Sequence, residues 1–326
     1  MRVPRGSGLL LLSALLAVAV PVLLARASIA LAVPAGVSVW RWGMGLALCG
    51  LCYLLSHMAR ATRLAMISGK MLGVSLRTAA LVHLFVAPWS IILPFKLDEI
   101  LRWRELSRIS GHLWRALIAC LIDRTADGLV LLGLLLAFTS HNDINQVGGV
   151  MVVLLTLAIG ASMVCFILVP SMLELIQQYL FEHHFGARSL TMITWAHYVR
   201  IELSRGRDTI THALPWLLVC TIIAWLLELA ATLVLLGIGF GQTLAFQPAV
   251  LLLLQRASRT ANILGGMGHW GGAAPGLTLS VVYLAVLSLA WIAVTRVYLR
   301  RWRGEPRRRP AAERPLFATP ATQEYR

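Results

Sequence analysis

The sequence predicts an all-α fold, a polytopic bundle of membrane helices, and three observations support this. The 326 residues are 58% hydrophobic and only 13% charged, about half the charged share of a soluble protein. Apolar stretches long enough to cross a ~30 Å hydrocarbon layer as a helix recur along the chain. The basic residues flank these stretches, and no basic domain stands apart, so the net charge of +15 indicates membrane topology and not a nucleic-acid partner.

Six apolar stretches are predicted to be full spans. They cover residues 8–24, 39–58, 113–138, 147–168, 217–240 and 279–299. Arg2 and Arg5 precede the first stretch and small residues follow it, so a cleaved signal peptide is the alternative to a retained helix there. The chain is thus expected to hold one membrane domain over residues 1–299 and a basic, disordered tail over 300–326.

The distribution of basic residues predicts the orientation. One face would carry both ends of the chain and the basic segments 60–77, 96–115 and 188–207. The opposite face would carry only Arg26 and Arg41. Because lysines and arginines favour the cytoplasmic side, we expect a multi-pass protein of the cytoplasmic (inner) membrane with both termini in the cytoplasm.

Two further apolar segments are predicted to enter the membrane and return. Residues 79–95 have basic residues on both sides and contain Pro88 and Pro94, which favours two half-helices that meet near Pro88 and Trp89. In residues 242–276, prolines, charges and glycines interrupt the apolar pattern, with a flexible outer loop as the alternative. The two halves would then form an inverted repeat, as in many transporters.

Other segments carry weaker signals. Residues 171–213 mix apolar and polar side chains and are predicted to form an interfacial amphipathic helix followed by a cytoplasmic connection. The five cysteines all lie in apolar stretches, so no disulfide is expected. Glu182, His183 and His184 have no accompanying ligand cluster, and no Gly-Lys-Ser/Thr phosphate loop occurs. Neither a metal nor another cofactor is therefore predicted.

Charged residues concentrate in the third predicted span. A charge at the centre of a span costs ~2.5 to 3.5 kcal/mol on insertion scales, so Asp123, Arg124 and Asp127 need partners. Asp123 and Asp127 are one turn apart on one helical face, and Arg124 is close enough to pair with Asp127. We expect a charged cluster that faces the protein interior, either as a structural ion pair or as a headgroup pathway or proton site.

Upstream residues complete a longer pattern of a proline, a basic residue, Glu and Arg, then an acidic-Arg pair and a further Asp. Its members in this chain are Pro94, Lys96, Glu99, Arg102, Asp123, Arg124 and Asp127. The pattern resembles that of the lysylphosphatidylglycerol synthase transmembrane-region, or flippase-like domain, proteins (UPF0104-like). Asp98 departs from the glycine usual in that family, and Asp123 replaces a glutamate. The resemblance covers residues 60–138, and elsewhere it is only topological.

The resemblance implies a membrane protein that moves or handles anionic phospholipids or isoprenoid-linked lipids, often beside a synthase or glycosyltransferase partner. The best-known members also carry a soluble aminoacyl-transferase domain. The residues after the last predicted span are too few for such a domain, so we do not expect the complete synthase. No catalytic residue is assigned, and without that domain the chain is not expected to be an enzyme.

A polar furrow for a lipid headgroup is the hypothesis that unites the charged residues. The planar fork of arginine suits a lipid phosphate, and carboxylates would keep the arginines oriented. The predicted substrate-binding residues are Lys96, Glu99, Arg102, Asp123, Arg124, Asp127, Glu228, Arg256 and Arg259. Two residues have alternatives: Glu228 as the neutraliser of a buried arginine, and His83 as a proton relay or a hydrogen-bonded packing residue.

Two other functions are compatible with the same residues. The chain would be a membrane-embedded glycosyl or acyl transferase if Asp98 or Glu99 acted as a base at the cytoplasmic surface. It would be a non-catalytic membrane partner of a lipid or glycan synthase if it only held such an enzyme in place. The sequence favours the flippase-like function over both.

Overall fold

The structure is a computed structural model that describes residues 32–92, 97–139, 146–183, 186–241, 249–250 and 274–304. Within these residues all regular secondary structure is helical, as the sequence predicts. The helices are α1 Val39–Leu72, α2 Leu76–Val86, α3 Trp89–Ile92, α4 Leu97–Ser110, α5 Leu113–Thr139, α6 Gln146–His183, α7 Ala187–Val234 and α8 Ala274–Gly304. A π-helical turn, Leu235–Gly239, continues α7.

In the part of the chain that the structure describes, four helices are long and apolar enough to cross a membrane. The qualifying segments are Val39–Leu72, Leu155–His183, Arg188–Gly239 and Thr278–Thr295, which lie in α1, α6, α7 and α8. The predicted span at 113–138 is also a helix, α5, of 27 residues. Every 18-residue stretch of α5 contains Asp123, Arg124 and Asp127, which sets it apart from the four apolar helices. The predicted span at 8–24 lies outside the described residues.

Local sequence sets the ends of the first helices. The hydroxyls of Ser38 and Ser75 accept hydrogen bonds from backbone N–H groups in the first turns of α1 and α2, as N-cap residues do. α1 ends at Leu72, and the following residue, Gly73, caps it with a φ of 64°, the left-handed conformation that favours glycine. Gly111, with a φ of 77°, separates α4 from α5 in the same way.

The break predicted near Pro88 and Trp89 is confirmed. α2 ends at Val86, a turn follows, and α3 begins at Trp89. The 11 residues of α2 rise about 16 Å, roughly half the hydrocarbon thickness, so α2 is too short to cross a membrane alone. The second predicted hairpin, 242–276, lies almost entirely outside the described residues. The inverted repeat therefore stays a prediction.

Residues 171–213 do not form the separate interfacial amphipathic helix and cytoplasmic connection that the sequence predicts. α6 continues through this region to His183 with Pro170 inside it, and α7 runs without interruption from Ala187. The polar residues that suggested a connection instead pair between the two helices, as Arg200 does with Glu174 at 3.0 Å. The α6–α7 pair therefore extends beyond the apolar stretches of both helices.

α1 is the central helix, since it packs against α2, α5, α7 and α8. Gly45 permits a close approach, because a Cβ there would lie 2.7 Å from the backbone N of Gly239 in the π-helical turn. Tyr53 on α1 stacks on Tyr283 of α8 with ring centroids 3.5 Å apart. These contacts hold the helices that carry the charged residues close around α1.

The outer faces of the helices are apolar. Leu157, Ile167 and Leu168 on α6 and Trp216 and Leu226 on α7 are each more than half exposed. Soluble proteins rarely expose contiguous apolar patches of this kind, whereas a helix in contact with lipid must. The exposed faces and the four long apolar helices together indicate insertion in a membrane.

Candidate functional site

Arg63 on α1 lies at the centre of a buried ion-pair network. Its Nε donates to Asp123 Oδ1 at 2.7 Å, and its Nη1 and Nη2 donate to the two carboxylate oxygens of Asp127 at 2.7 and 2.9 Å. Nη1 also donates to the hydroxyl of Thr221 on α7 at 2.8 Å. The side chain of Arg63 is 0% exposed. Charge-assisted bidentate pairs are strong, so this guanidinium joins α1 to α5 and α7.

Two more arginines extend the network towards α4. Arg102 Nη1 lies 3.1 Å from Asp123 Oδ2 and 3.2 Å from Glu99 Oε1. Arg124 Nη2 lies 2.6 Å from Glu99 Oε1, and its Nη1 lies 3.2 Å from Asp127 Oδ2. Glu99 and Asp127 are therefore each shared between two arginines, and Asp123 is shared among all three, since Arg124 Nη2 lies 3.6 Å from its Oδ2.

The network is electrically neutral as a whole. It consists of three arginines and three carboxylates: Arg63, Arg102, Arg124, Glu99, Asp123 and Asp127. Desolvating a charge is costly unless opposite charges and hydrogen bonds compensate it. Neutrality thus explains how α5 can hold three charges within five residues among packed helices.

The three arginines differ in exposure. The side chain of Arg124 is 30% exposed, against 0% for Arg63 and 2% for Arg102. Arg63 uses every nitrogen of its guanidinium in hydrogen bonds, whereas the Nε atoms of Arg102 and Arg124 have no hydrogen-bond partner among the described residues. Arg124 is therefore the arginine of the network best placed to meet a ligand.

A second ion pair lies next to the network. Arg60, one turn before Arg63 on α1, pairs with Glu228 on α7, and Ser56 Oγ donates to the same carboxylate at 3.4 Å. The guanidinium of Arg60 also lies 5.5 Å from the ring centroid of Trp225, within the range of a cation–π contact. The pairing agrees with the alternative in which Glu228 neutralises a buried arginine.

α4 brings two acidic residues to the site. Asp98 is 3% exposed, and its Oδ1 has no hydrogen-bond partner within the described part of the chain. Burial raises the pKa of Glu99 above its ordinary value, against the opposing effect of Arg102 and Arg124. A carboxyl group with a raised pKa exchanges its proton closer to neutral pH than an exposed one does.

Two buried histidines link α1 to the broken segment. His57 Nδ1 and His83 Nε2 lie 3.2 Å apart, and His83 is 2% exposed. The contact makes His83 a hydrogen-bonded packing residue, which was one of its two predicted roles. A hydrogen-bonded imidazole is also the geometry that a proton relay requires, so the relay stays a prediction.

The structure brings together five of the nine residues predicted from the sequence. Glu99, Arg102, Asp123, Arg124 and Asp127 form the network. Glu228 lies in the neighbouring ion pair. The remaining three, Lys96, Arg256 and Arg259, lie outside the described residues.

Sequence reasoning missed the central residue of the network. Arg60 and Arg63 were assigned to the cytoplasmic flank of a span that was predicted to end at residue 58, whereas α1 continues to Leu72. Their spacing of three residues places both on one face of that helix, which was the available signal. Thr221 could not be found in this way, because nothing local connects it to Arg63.

A second ionic cluster joins α5 to α7. Arg115 Nε donates to Glu202 Oε1 and Oε2 at 2.9 and 2.8 Å, and Arg205 Nη1 donates to Glu202 Oε2 at 2.9 Å. Glu202 is 2% exposed, whereas the side chains of Arg115 and Arg205 are 24% and 39% exposed. One carboxylate here holds two arginines, so these three residues carry a surplus positive charge.

No protein family, curated protein or solved structure matches the chain. The resemblance to the flippase-like domain proteins therefore stays a prediction. For the described residues, the geometry establishes helices as the regular secondary structure, with four apolar helices of membrane-spanning length and a neutral, buried ionic network among α1, α4, α5 and α7.

Proposed function

We propose that the chain is a flippase-like integral membrane protein that translocates or handles phospholipids or lipid-linked glycan intermediates in the cytoplasmic (inner) membrane. The observation that carries the proposal is the neutral ionic network with one partly exposed arginine, Arg124, at its edge. Ionisable groups inside a membrane domain commonly mark the path of a polar substrate. A lipid phosphate is a suitable ligand, because it accepts the paired hydrogen bonds that a guanidinium donates.

In this mechanism the phosphate takes the place of the Glu99 carboxylate on Arg124. The two groups lie 2.6 Å apart at closest approach, and burial raises the pKa of Glu99, so protonation of Glu99 would release Arg124. Arg63 keeps Asp123 and Asp127 in place throughout, because its donors are fully engaged. The acyl chains stay in lipid beside the exposed apolar faces, and the driving force is a gradient or mass action.

The proposed topology has six full spans, two re-entrant hairpins related as an inverted repeat, and both termini in the cytoplasm. α5 is the span that carries the network: its 27 residues rise about 40 Å, enough to cross the hydrocarbon layer. Pairing of its charges with α1 and α4 supports this assignment, because paired charges lower the cost of insertion. The broken segment at Pro88 supports the first hairpin.

Reconstitution tests the proposal. We expect Arg124→Ala to abolish translocation of fluorescent phosphatidylglycerol and of a labelled isoprenoid phosphate in vesicles that contain the purified chain. The measurement is the fraction of label protected from an external quencher. Arg108→Ala is the matched control, because Arg108 on α4 is 47% exposed, pairs with Glu105 and lies outside the network. Full translocation by a folded, inserted Arg124→Ala variant would contradict the proposal.

A transferase is the second candidate, and the unpartnered Oδ1 of buried Asp98 beside Glu99 favours it. Such a carboxylate would act as the general base on a lipid hydroxyl. Purified protein, lipid acceptor and a labelled sugar or acyl donor would then yield a labelled lipid, and Asp98→Asn would abolish the label. Recovery of unmodified lipid would exclude this function while leaving translocation to be measured separately. A synthase or glycosyltransferase is the expected partner in either case.

A further inference from the structure

A polar cleft between α6 and α7 is a feature that the proposed function does not use. It has a volume of about 530 Å³. Three arginines line it, Arg200, Arg205 and Arg207, together with the hydroxyl groups of Ser171 and Ser204. These side chains offer charged and neutral hydrogen-bond donors to an anion in the open cleft, which is the donor set that phosphate recognition requires.

The cleft lies where the apolar part of α6 ends. The predicted apolar stretch 147–168 stops just before Pro170, and Pro170 lines the cleft. Further from the apolar stretch, Tyr179 and Trp195 are 57% and 56% exposed. Tyrosine and tryptophan are enriched at the level of lipid headgroups in membrane proteins. The cleft is therefore at the depth where a lipid phosphate would lie.

The acidic residues of the cleft hold its arginines only weakly. Arg200 lies 3.0 Å from Glu174, and Arg207 lies 3.9 Å from Asp208. The side chains of Glu174 and Asp208 are 56% and 65% exposed, and solvent-exposed ion pairs contribute little to stability. Both arginines can therefore exchange a carboxylate for a phosphate at low cost.

The inner side of the cleft is rigid. Behind it, buried Glu202 fixes Arg205 and Arg115. A Cβ at Gly206 would lie 2.8 Å from the side chain of Ile118 and 2.9 Å from that of Phe166, so α7 approaches α5 and α6 as closely as a glycine allows. The cleft thus has a fixed wall, which lowers the cost of ordering a ligand.

We propose that this cleft binds the phosphate group of an anionic lipid in the surrounding leaflet. Arg200 and Arg207 hold the phosphate, the serine hydroxyls donate to it, and the acyl chains lie along the exposed apolar face of α6, where Leu168 and Met172 are 52% and 58% exposed. The inference is independent of the proposed function, because none of these residues belongs to the network around Arg63.

Calorimetric titration of the full chain in detergent with dioctanoyl phosphatidylglycerol tests this proposal. The double variant R200A/R207A is expected to bind this lipid at least about ten-fold more weakly, because two charge-assisted contacts are lost. The control R77A/R108A removes the same charge from two exposed arginines outside the cleft and is expected to bind as the unmodified chain does. Equal binding by R200A/R207A and the control would overturn the proposal.

A second double variant, E174Q/D208N, is expected to raise the affinity for the lipid. E174Q/D208N alters only exposed carboxylates, so the fold is expected to persist, and affinity for dioctanoyl phosphatidylglycerol is expected to rise several-fold. Absence of any gain would overturn the proposal even if R200A/R207A failed to fold. Dioctanoyl phosphatidylcholine is expected to bind more weakly than the anionic lipid. Inorganic phosphate that bound as tightly as phosphatidylglycerol would overturn the lipid as the occupant.

Discussion

The network around Arg63 and the cluster around Glu202 both place charges between packed helices, but their stoichiometry differs. In the network three arginines meet three carboxylates, and at its centre one guanidinium holds two carboxylates. In the cluster one carboxylate holds two guanidinium groups. The first is neutral and its central side chain is 0% exposed. The second carries a surplus positive charge, and its arginines are partly exposed.

The difference follows from where each group lies. A buried set of charges must be neutral, because no solvent remains to screen a surplus. Around partly exposed arginines such as Arg115 and Arg205, water can compensate the extra positive charge. An anion that enters the neutral network must displace a largely buried carboxylate such as that of Glu99, whereas an anion in the proposed cleft beside Glu202 displaces only the exposed carboxylates of Glu174 and Asp208. The two regions therefore differ in how readily they exchange a carboxylate for an anion.

Removing the central arginine is expected to have the largest effect. Arg63→Met leaves Asp123 and Asp127 short of their main partner, and breaking a buried ion pair from one side costs about 3 to 5 kcal/mol. The variant should unfold in detergent at a markedly lower temperature than the unmodified chain. Scanning calorimetry or size-exclusion chromatography after heating would measure the difference.

A neutralising second change separates charge balance from other effects of the substitution. In R63M/D127N the four remaining charges of the network, Arg102, Arg124, Glu99 and Asp123, again sum to zero. We expect this double variant to regain a large part of the lost stability. If it is no more stable than Arg63→Met alone, the contacts of Arg63 itself, and not charge neutrality, stabilise the network. The proposed difference between the network and the Glu202 cluster would then be wrong.

The sequence predicted the elements of the fold better than their extent. Five of the six expected spans coincide with helices among the described residues, because about 20 apolar residues in a row are a strong local signal. The break at Pro88 could be predicted from the sequence equally well, because proline cannot donate the hydrogen bond that a continuous helix needs. The lengths of α1 and α6 could not be predicted from the sequence. Polar residues that pair between helices resemble, in sequence, the solvent-exposed flank of a span.

The site was predictable where its residues are neighbours in sequence. Asp123, Arg124 and Asp127 lie within five residues on α5, and an apolar context showed that they needed partners. The identity of those partners could not be predicted from the sequence. Arg63 is 60 positions from Asp123 and 158 from Thr221, and only the packing of α1 against α5 and α7 determines which arginine meets which carboxylate.

A smaller effect is expected from Glu202→Gln. Arg115 and Arg205 lose a charged partner, but both are partly exposed, so water replaces much of the lost interaction and the cost is about 1 kcal/mol. Because salt screens partly exposed charges, the stability difference between Glu202→Gln and the unmodified chain should shrink in 1 M salt. The stability difference between Arg63→Met and the unmodified chain should not shrink in 1 M salt, because the side chain of Arg63 is 0% exposed. Thermal unfolding at two salt concentrations measures both, and an equal salt response would show that the two regions are equally buried.

The smallest effect is expected from Arg108→Ala, although the contact that it removes is short. Arg108 Nη2 lies 2.6 Å from Glu105 Oε2, closer than any contact of Arg63. Its side chain is 47% exposed, however, and exposed pairs on one helix are worth only about 0.3 to 0.5 kcal/mol. Burial, not distance, should thus rank the three variants. A loss for Arg108→Ala as large as that for Glu202→Gln would reverse this ranking, because distance would then predict stability better than exposure does.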